Sequence, residues 1–224
     1  MFRIKKEYGK RQYQAKCMEP RRKYYIITEG YKTEQRYFKG LKSSKKDVTL
    51  SPMIEIHPVN RKKSKVGYSN AISYIEPVKD IINGKSECIF EKDFDRIWII
   101  FDRDKKDTTV DQIRTLIDFS EDNDCVYLGL TNPYFEFWLL LHFDIIDVFS
   151  KKDIKDLDLK KELRKILGGY NSSRLRFSDF KDGIGTALNN VEKFENQNIE
   201  LLLNNIGSTV GNLMNELLDN KKMY

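Results

Sequence analysis

Apolar residues gather in short runs through the first 130 positions, with turn and helix signals between them. Tyr24–Thr28 (YYIIT), Met53–Val59 (MIEIHPV), Arg96–Phe101 (RIWIIF) and Cys125–Leu130 have the length and the β-branched or aromatic content of buried strands. Helical spacing takes over between them. Tyr37, Phe38 and Leu41 share one side of a helix over about Thr33–Lys42. Ile72, Ile75, Val78, Ile81 and Ile82 do the same in a helix starting near Ser69, and Ile113, Leu116 and Ile117 in one over roughly Thr109–Ser120. A further helix follows the fourth strand, with Pro133 suited to its first position. Strand and helix alternate four times, which predicts an α/β fold with a parallel sheet covered on both faces.

Strand patterns stop at about Lys151. Lys152–Leu167 is a charged amphipathic stretch, Gly168-Gly169 breaks it, and helices fit Ile184–Asn196 and Thr209–Asn220. The expected organisation is a basic arm over residues 1–23, an α/β domain over 24–148 and a helical subdomain over 149–224 packed on the sheet.

Charge changes this picture at one end only. Residues 1–23 hold nine Lys/Arg against Glu7 and Glu19, a net +7, so the remaining 201 residues sum to about −1. Such an arm suits a phosphate backbone, or serves as a solvated tail that maintains solubility. Hydrophobic content of 40 % with 12 % aromatics excludes a chain without a core. Cys17, Cys88 and Cys125 form no CxxC pair, which argues against a zinc ribbon or a disulfide framework and for reduced thiols in a cytoplasmic protein. No apolar segment follows the basic N-terminus, and IWIIF and FWLLL are too short to span a bilayer, so neither signal peptide nor membrane association is expected.

The candidate chemistry lies where the strands end. In an open parallel sheet the carboxyl edge of the strands forms the site. Glu29 follows the first strand directly, with Gly30 expected to allow a tight exit, and Asp102 and Asp104 follow the third. A period of two puts both aspartates on one side if strand geometry persists. Adjacent carboxylates repel, and a hard divalent ion with oxygen ligands relieves that repulsion. Mg²⁺, with Mn²⁺ as the alternative, is therefore the expected cofactor, held by Glu29, Asp102 and Asp104. It would stabilise charge on a scissile phosphate and orient the attacking oxygen.

Four other residues bear on this site. Lys32, at the start of the first helix, could hold the substrate phosphate or be an ordinary exposed lysine. Arg103, pointing away from the aspartates, reads as structural. Glu136 is the only acid in PYFEFWLLLHF, so it needs the helix N-terminal dipole, a basic side chain or a second metal. His142 and His57 read as packed histidines. No GxxxxGK[ST] loop, GxSxG elbow or Cys/His pairing is present in the sequence, so nucleotide hydrolysis by this chain alone and covalent nucleophilic catalysis are not expected.

Taken together, YYIITEGYKTEQRYFKGL and WIIFDRDKKD resemble the topoisomerase–primase (Toprim) domain, in which a strand-end Glu and a later DxD bind Mg²⁺. More narrowly, EGYKTEQRYF, FDRD and TNPYFEFWLLLHF resemble the RloB family, small Toprim-type proteins of bacterial restriction and abortive-infection loci. The likeness covers about residues 24–145. The family tends to carry an Asn-Pro-Ser-Thr-like segment before its last helix, where this chain reads NNIGSTV. The resemblance implies nuclease chemistry like that of the OLD family, with Glu29, Asp102 and Asp104 as metal ligands and Glu136 as a second-metal candidate. It also implies a companion ATPase encoded nearby and a role in defence against phage. The leading expectation is a Mg²⁺-dependent endonuclease acting on DNA or RNA. Alternatives are a primase-like nucleotidyl transferase and a non-catalytic nucleic-acid-binding partner of an ATPase. The reading leaves room for a homo-oligomer.

Overall fold

Strand β1 (Arg22–Thr28) buries every side chain from Tyr24 to Thr28, which is why it lies inside a sheet and not at its edge. The computed structural model describes residues 21–30, 32–48, 50, 54–59, 71–103, 108–144, 157–194 and 198–218. Most of the basic arm, the expected 148/149 domain boundary and Asp104 lie outside these residues. β1 is followed by α1 (Thr33–Ser43), β2 (Ile54–Val59), α2 (Ile75–Ile82), β3 (Arg96–Asp102), α3 (Val110–Glu121), β4 (Val126–Asn132) and α4 (Phe135–Leu140). Next come α5 (Leu159–Ile166), α6 (Ile184–Glu192), α7 (Ile199–Leu202), the two-residue β5 (Gly207–Ser208) and α8 (Val210–Leu218).

The sheet order is β2-β1-β3-β4-β5, with the first four strands parallel and β5 antiparallel to β4. The predicted α/β alternation and mostly parallel sheet are thus observed. The expectation that strands end before residue 151 is corrected by β5, which caps the carboxyl end of β4. Side-chain and backbone polar groups hold it there. Thr131 Oγ1 and Ser208 Oγ lie 2.9 Å apart, Leu130 N donates to Thr209 Oγ1 at 2.8 Å, and Thr209 N donates to Leu130 O at 2.9 Å. A strand built this way has no apolar run to announce it.

Two apolar layers sandwich the sheet. Tyr24, Ile26, Trp98 and Ile100 face one layer with residues of α1, α4, α5, α6 and α8. Tyr25, Ile27, Ile97, Ile99 and Phe101 face the other, with residues of α2 and α3 and with Leu202 and Leu203. The helices after residue 157 therefore share the core of the sheet. Small residues permit the closest approaches: a Cβ on Gly129 would fall 2.5 Å from Ile100 Cδ1, and one on Gly40 would meet the Phe177 side chain. Ile72, expected inward, is 43 % exposed, because its turn is a 3₁₀ segment (Ala71–Tyr74) that breaks the 3.6-residue register. Pro133 stands two residues before α4, whose N-cap is Tyr134. Among the described residues no helix is long and apolar enough to cross a membrane.

Candidate carboxylate site

β1 and β3 are hydrogen-bonded neighbours, and their carboxyl ends bring together residues 73 positions apart. Glu29 N donates to Ile100 O at 3.0 Å, extending the ladder one step past β1. The Glu29 side chain then turns across the end of β3, where its Oε2 accepts a hydrogen bond from Asp102 N at 3.0 Å. Asp102 pairs in register with Thr131 of β4, and Arg103 N donates to Thr131 O at 2.7 Å. The convergence of Glu29 and Asp102 expected from their strand-end positions is observed.

Asp102 is electrostatically exceptional. Its Oδ1 is buried without a hydrogen-bond partner among the described residues. Burial raises its pKa well above the usual carboxylate range, and the charges of Glu34, Glu29 and Glu136 raise it further; a backbone N–H from Phe135 opposes them. A buried carboxylate oxygen with no donor among the described residues and three acids in electrostatic range is costly unless a cation answers it.

Two of those acids come from the first turns of helices. Glu34 is 6 % exposed in α1, and its carboxylate rests against Gly30. A Cβ on Gly30 would lie 2.6 Å from Glu34 Oε2, so the glycine after Glu29 makes room for a second acid. The tight-exit explanation for Gly30 gives way to this one, since the positive-φ glycines among the described residues are Gly84, Gly168 and Gly169. Glu136, 5 % exposed in α4, accepts from Tyr170 O–H at 3.2 Å and sits 3.5 Å from Lys160 Nζ, both on Oε1. Of the partners anticipated for Glu136, a basic side chain is present.

Tyr170 reaches Glu136 because Gly168 (φ 65°) and Gly169 (φ 151°) turn the chain back sharply after α5. Burial, reinforced by the Glu136 charge, pushes its phenol far above the ordinary tyrosine range, while a hydrogen bond with Thr33 opposes the rise. Glu34, Tyr170, Lys160 and Thr33 were not anticipated. Glu34 was open to inference as an acid at the start of a helix five residues after Glu29. Tyr170 had only the Gly-Gly break as a signal.

The other candidates separate cleanly. Lys32 is exposed at the N-cap of α1, and its carbonyl accepts from Arg36 N at 3.2 Å. Arg103 is buried and donates from Nη1 to Thr108 O at 2.8 Å, a bond between the end of β3 and the residue two positions before α3. His142 is packed: Nδ1–H donates to Trp138 O at 3.0 Å, so Nε2 accepts from Tyr37 O–H at 3.0 Å. Burial lowers its pKa to about 4. His57 stacks on Tyr25 with centroids 5.0 Å apart.

The acids in electrostatic range of Asp102 offer oxygen donors, and its Oδ1 has no partner among the described residues, which is chemistry that suits a hard divalent cation. Among the described residues no three His, Cys, Asp or Glu side chains form a group that could hold a metal ion. The described acids thus form a charged neighbourhood, and Asp104, outside them, is the ligand expected to complete it.

No curated protein and no solved structure matches the chain. A family model described as RloB-like protein matches residues 24–217, spanning the sheet, the carboxylate site and the C-terminal helices. The chain belongs to the RloB-like protein family.

Proposed function

We propose that this protein is a Mg²⁺-dependent endonuclease with a Toprim-like site, related in chemistry to OLD-family nucleases, that hydrolyses phosphodiester bonds of DNA or RNA in anti-phage defence. The observation that carries the reading is Asp102 at the carboxyl edge of the sheet, whose Oδ1 is buried without a partner among the described residues and which has three acids in electrostatic range. Like charges gathered on one carboxylate are a feature of sites that work on charged substrates through a cation.

Glu29, Asp102 and Asp104 would hold the ion, with Glu136 as the candidate for a second. A bound Mg²⁺ supplies neutralisation of these acids, polarisation of the scissile phosphate and an activated water. The chain contributes placement. Asp102 N fixes the Glu29 carboxylate, while Tyr170 and Lys160 fix that of Glu136. Lys32 stands exposed at the head of α1, where it would meet a phosphate oxygen and neutralise developing charge. The companion ATPase implied by the family resemblance would govern when the site is used.

Two measurements test the reading, and the first needs no partner. Titration calorimetry with Mn²⁺ should show uptake by the wild type and loss of uptake in Asp102→Asn. Incubation of labelled DNA and RNA with Mg²⁺ should give fragments that disappear with EDTA and with Glu29→Ala/Asp102→Ala. Cutting by that double variant at the wild-type rate would sink the proposal. Extension of a labelled primer in place of cutting would replace hydrolysis by nucleotidyl transfer.

A further inference from the structure

Beside the carboxylates lies a second feature, made by the segment from α5 to residue 180. A cavity of about 450 Å³ opens there, and Tyr170 forms one wall of it. The same Tyr170 donates to Glu136, so one residue touches both the cavity and the acidic site. Leu167, Leu175 and Phe180 give the cavity apolar surface, while Arg164, Arg174 and Arg176 stand around it. Its one acid, Asp179, is taken by Arg176 at 3.2 Å. Arg164 and Arg174 have no ion pair among the described residues.

Across Leu175, which lines both, a second cavity of about 440 Å³ runs along α1 beside Arg36 and Lys39. Both volumes fall in the range of about 300–1,000 Å³ common to small-ligand sites. Two adjoining hollows with apolar surface and cationic rims differ from what a duplex needs. A duplex keeps its base faces stacked inside and offers phosphates and base edges along a convex surface. An unpaired strand offers bases for the apolar surface and phosphates for the guanidinium groups.

We infer that the cavity at Arg164 and Arg174 seats one unstacked nucleotide of a single-stranded substrate, and that the strand continues over Leu175 into the cavity beside Arg36. This rests on the reading that the neighbouring acids act on nucleic acid, and it adds what that reading leaves open: the strandedness of the substrate and the face that holds it. Glu136 and Tyr170 mark where the strand passes from the acids into the pocket.

The test is equilibrium binding of the full chain in EDTA, followed by fluorescence anisotropy of end-labelled single strands and of the matching duplex, as DNA and as RNA. Single strands should bind at least about tenfold more tightly than the duplex at the same salt. Arg164→Glu/Arg174→Glu should weaken single-strand binding about tenfold or more and lower the slope of log K against log salt by roughly 0.7 for each phosphate that is no longer neutralised. Arg164→Lys/Arg174→Lys should retain most of the binding and, with an unchanged thermal midpoint, shows that the fold tolerates substitution there. Polyglutamate should not displace the strand. Equal affinity for duplex, unchanged binding by the charge-reversed pair, or displacement by polyglutamate would each overturn the inference. Because no cation is present, strand binding without cutting in Mg²⁺ would leave the inference standing and remove the nuclease. Cutting unaffected by charge reversal would do the opposite.

Discussion

Strand β3 is bracketed by two enclosed aspartates with opposite surroundings. Asp95, just before the strand, is fully buried, and both of its oxygens are satisfied. Lys23 N donates to Oδ1 at 2.9 Å, Glu91 N donates to Oδ2 at 2.9 Å, and Lys23 Nζ approaches Oδ2 at 3.5 Å. Asp102, at the other end, has an oxygen with no donor among the described residues and has Glu34, Glu29 and Glu136 for neighbours. The same residue type, at the two ends of one strand, stabilises the fold at one end and is held at a disadvantage at the other. The amino end of the sheet is built to hold a negative charge, whereas the carboxyl edge gathers carboxylates around an Asp102 oxygen that has no donor among the described residues.

The largest expected effect sharpens this contrast. Asp102→Ala should reduce Mg²⁺-dependent cutting by about 10²–10³-fold or more, while denaturant unfolding shifts by less than about 1 kcal/mol. Asp95→Ala should reverse the pattern. It breaks a buried pair and should cost about 3–5 kcal/mol in urea unfolding, with the surviving folded fraction cutting normally. If the two variants behaved alike in either assay, the division between the ends of β3 would fail.

Tyr170→Phe removes the hydroxyl on Glu136 and nothing else of bulk. Mn²⁺ affinity or cutting should fall by about tenfold, within the range for groups that orient a ligand. A normal value would limit Tyr170 to packing.

A smaller effect depends on pH. The folded-state pKa of Asp102 is raised, so its contribution to stability is fully present below the unfolded value and is lost as pH rises through the folded one. Asp102→Asn should therefore be more stable than wild type at pH 8 without cation, as urea unfolding would show. That gap should close towards pH 4, and saturating Mg²⁺ should narrow it at pH 8. A gap independent of pH would remove the charge argument. The smallest effect belongs to Gly30→Ala, where the new methyl displaces the Glu34 carboxylate. Mn²⁺ binding should weaken by a few-fold with the thermal midpoint nearly unchanged, as calorimetry and a melting curve would show.

Much of the fold was legible because its signals are local. The four parallel strands and the helices α1, α3, α6 and α8 announced themselves by period and apolar content, with ends within a few residues of those observed. The second helix was placed, but Ile72 was misdirected because a 3₁₀ turn enters it. Gly207–Ser208 was missed because its pairing depends on Thr131, Leu130 and Thr209 hydroxyl and backbone groups, which carry no periodicity. In the site, Glu29 and Asp102 were readable from their place at strand ends. Glu34 had a weaker signal, an acid at a helix start five residues after Glu29, and Tyr170 had almost none, lying in a loop far downstream of Glu29.

The sequence alone determined which four segments become the parallel strands and which acids stand at their carboxyl ends, since these follow from residue period and chain direction. Tertiary structure decided the company those acids keep. Only the pairing of β1 with β3 puts Glu29 on Asp102 N, only the packing of α1 and α4 on that face brings Glu34 and Glu136 within electrostatic range, and only the turn at Gly168-Gly169 delivers Tyr170. Charge–charge energies depend on distance through space, and distance through space between residues far apart in sequence is what folding sets.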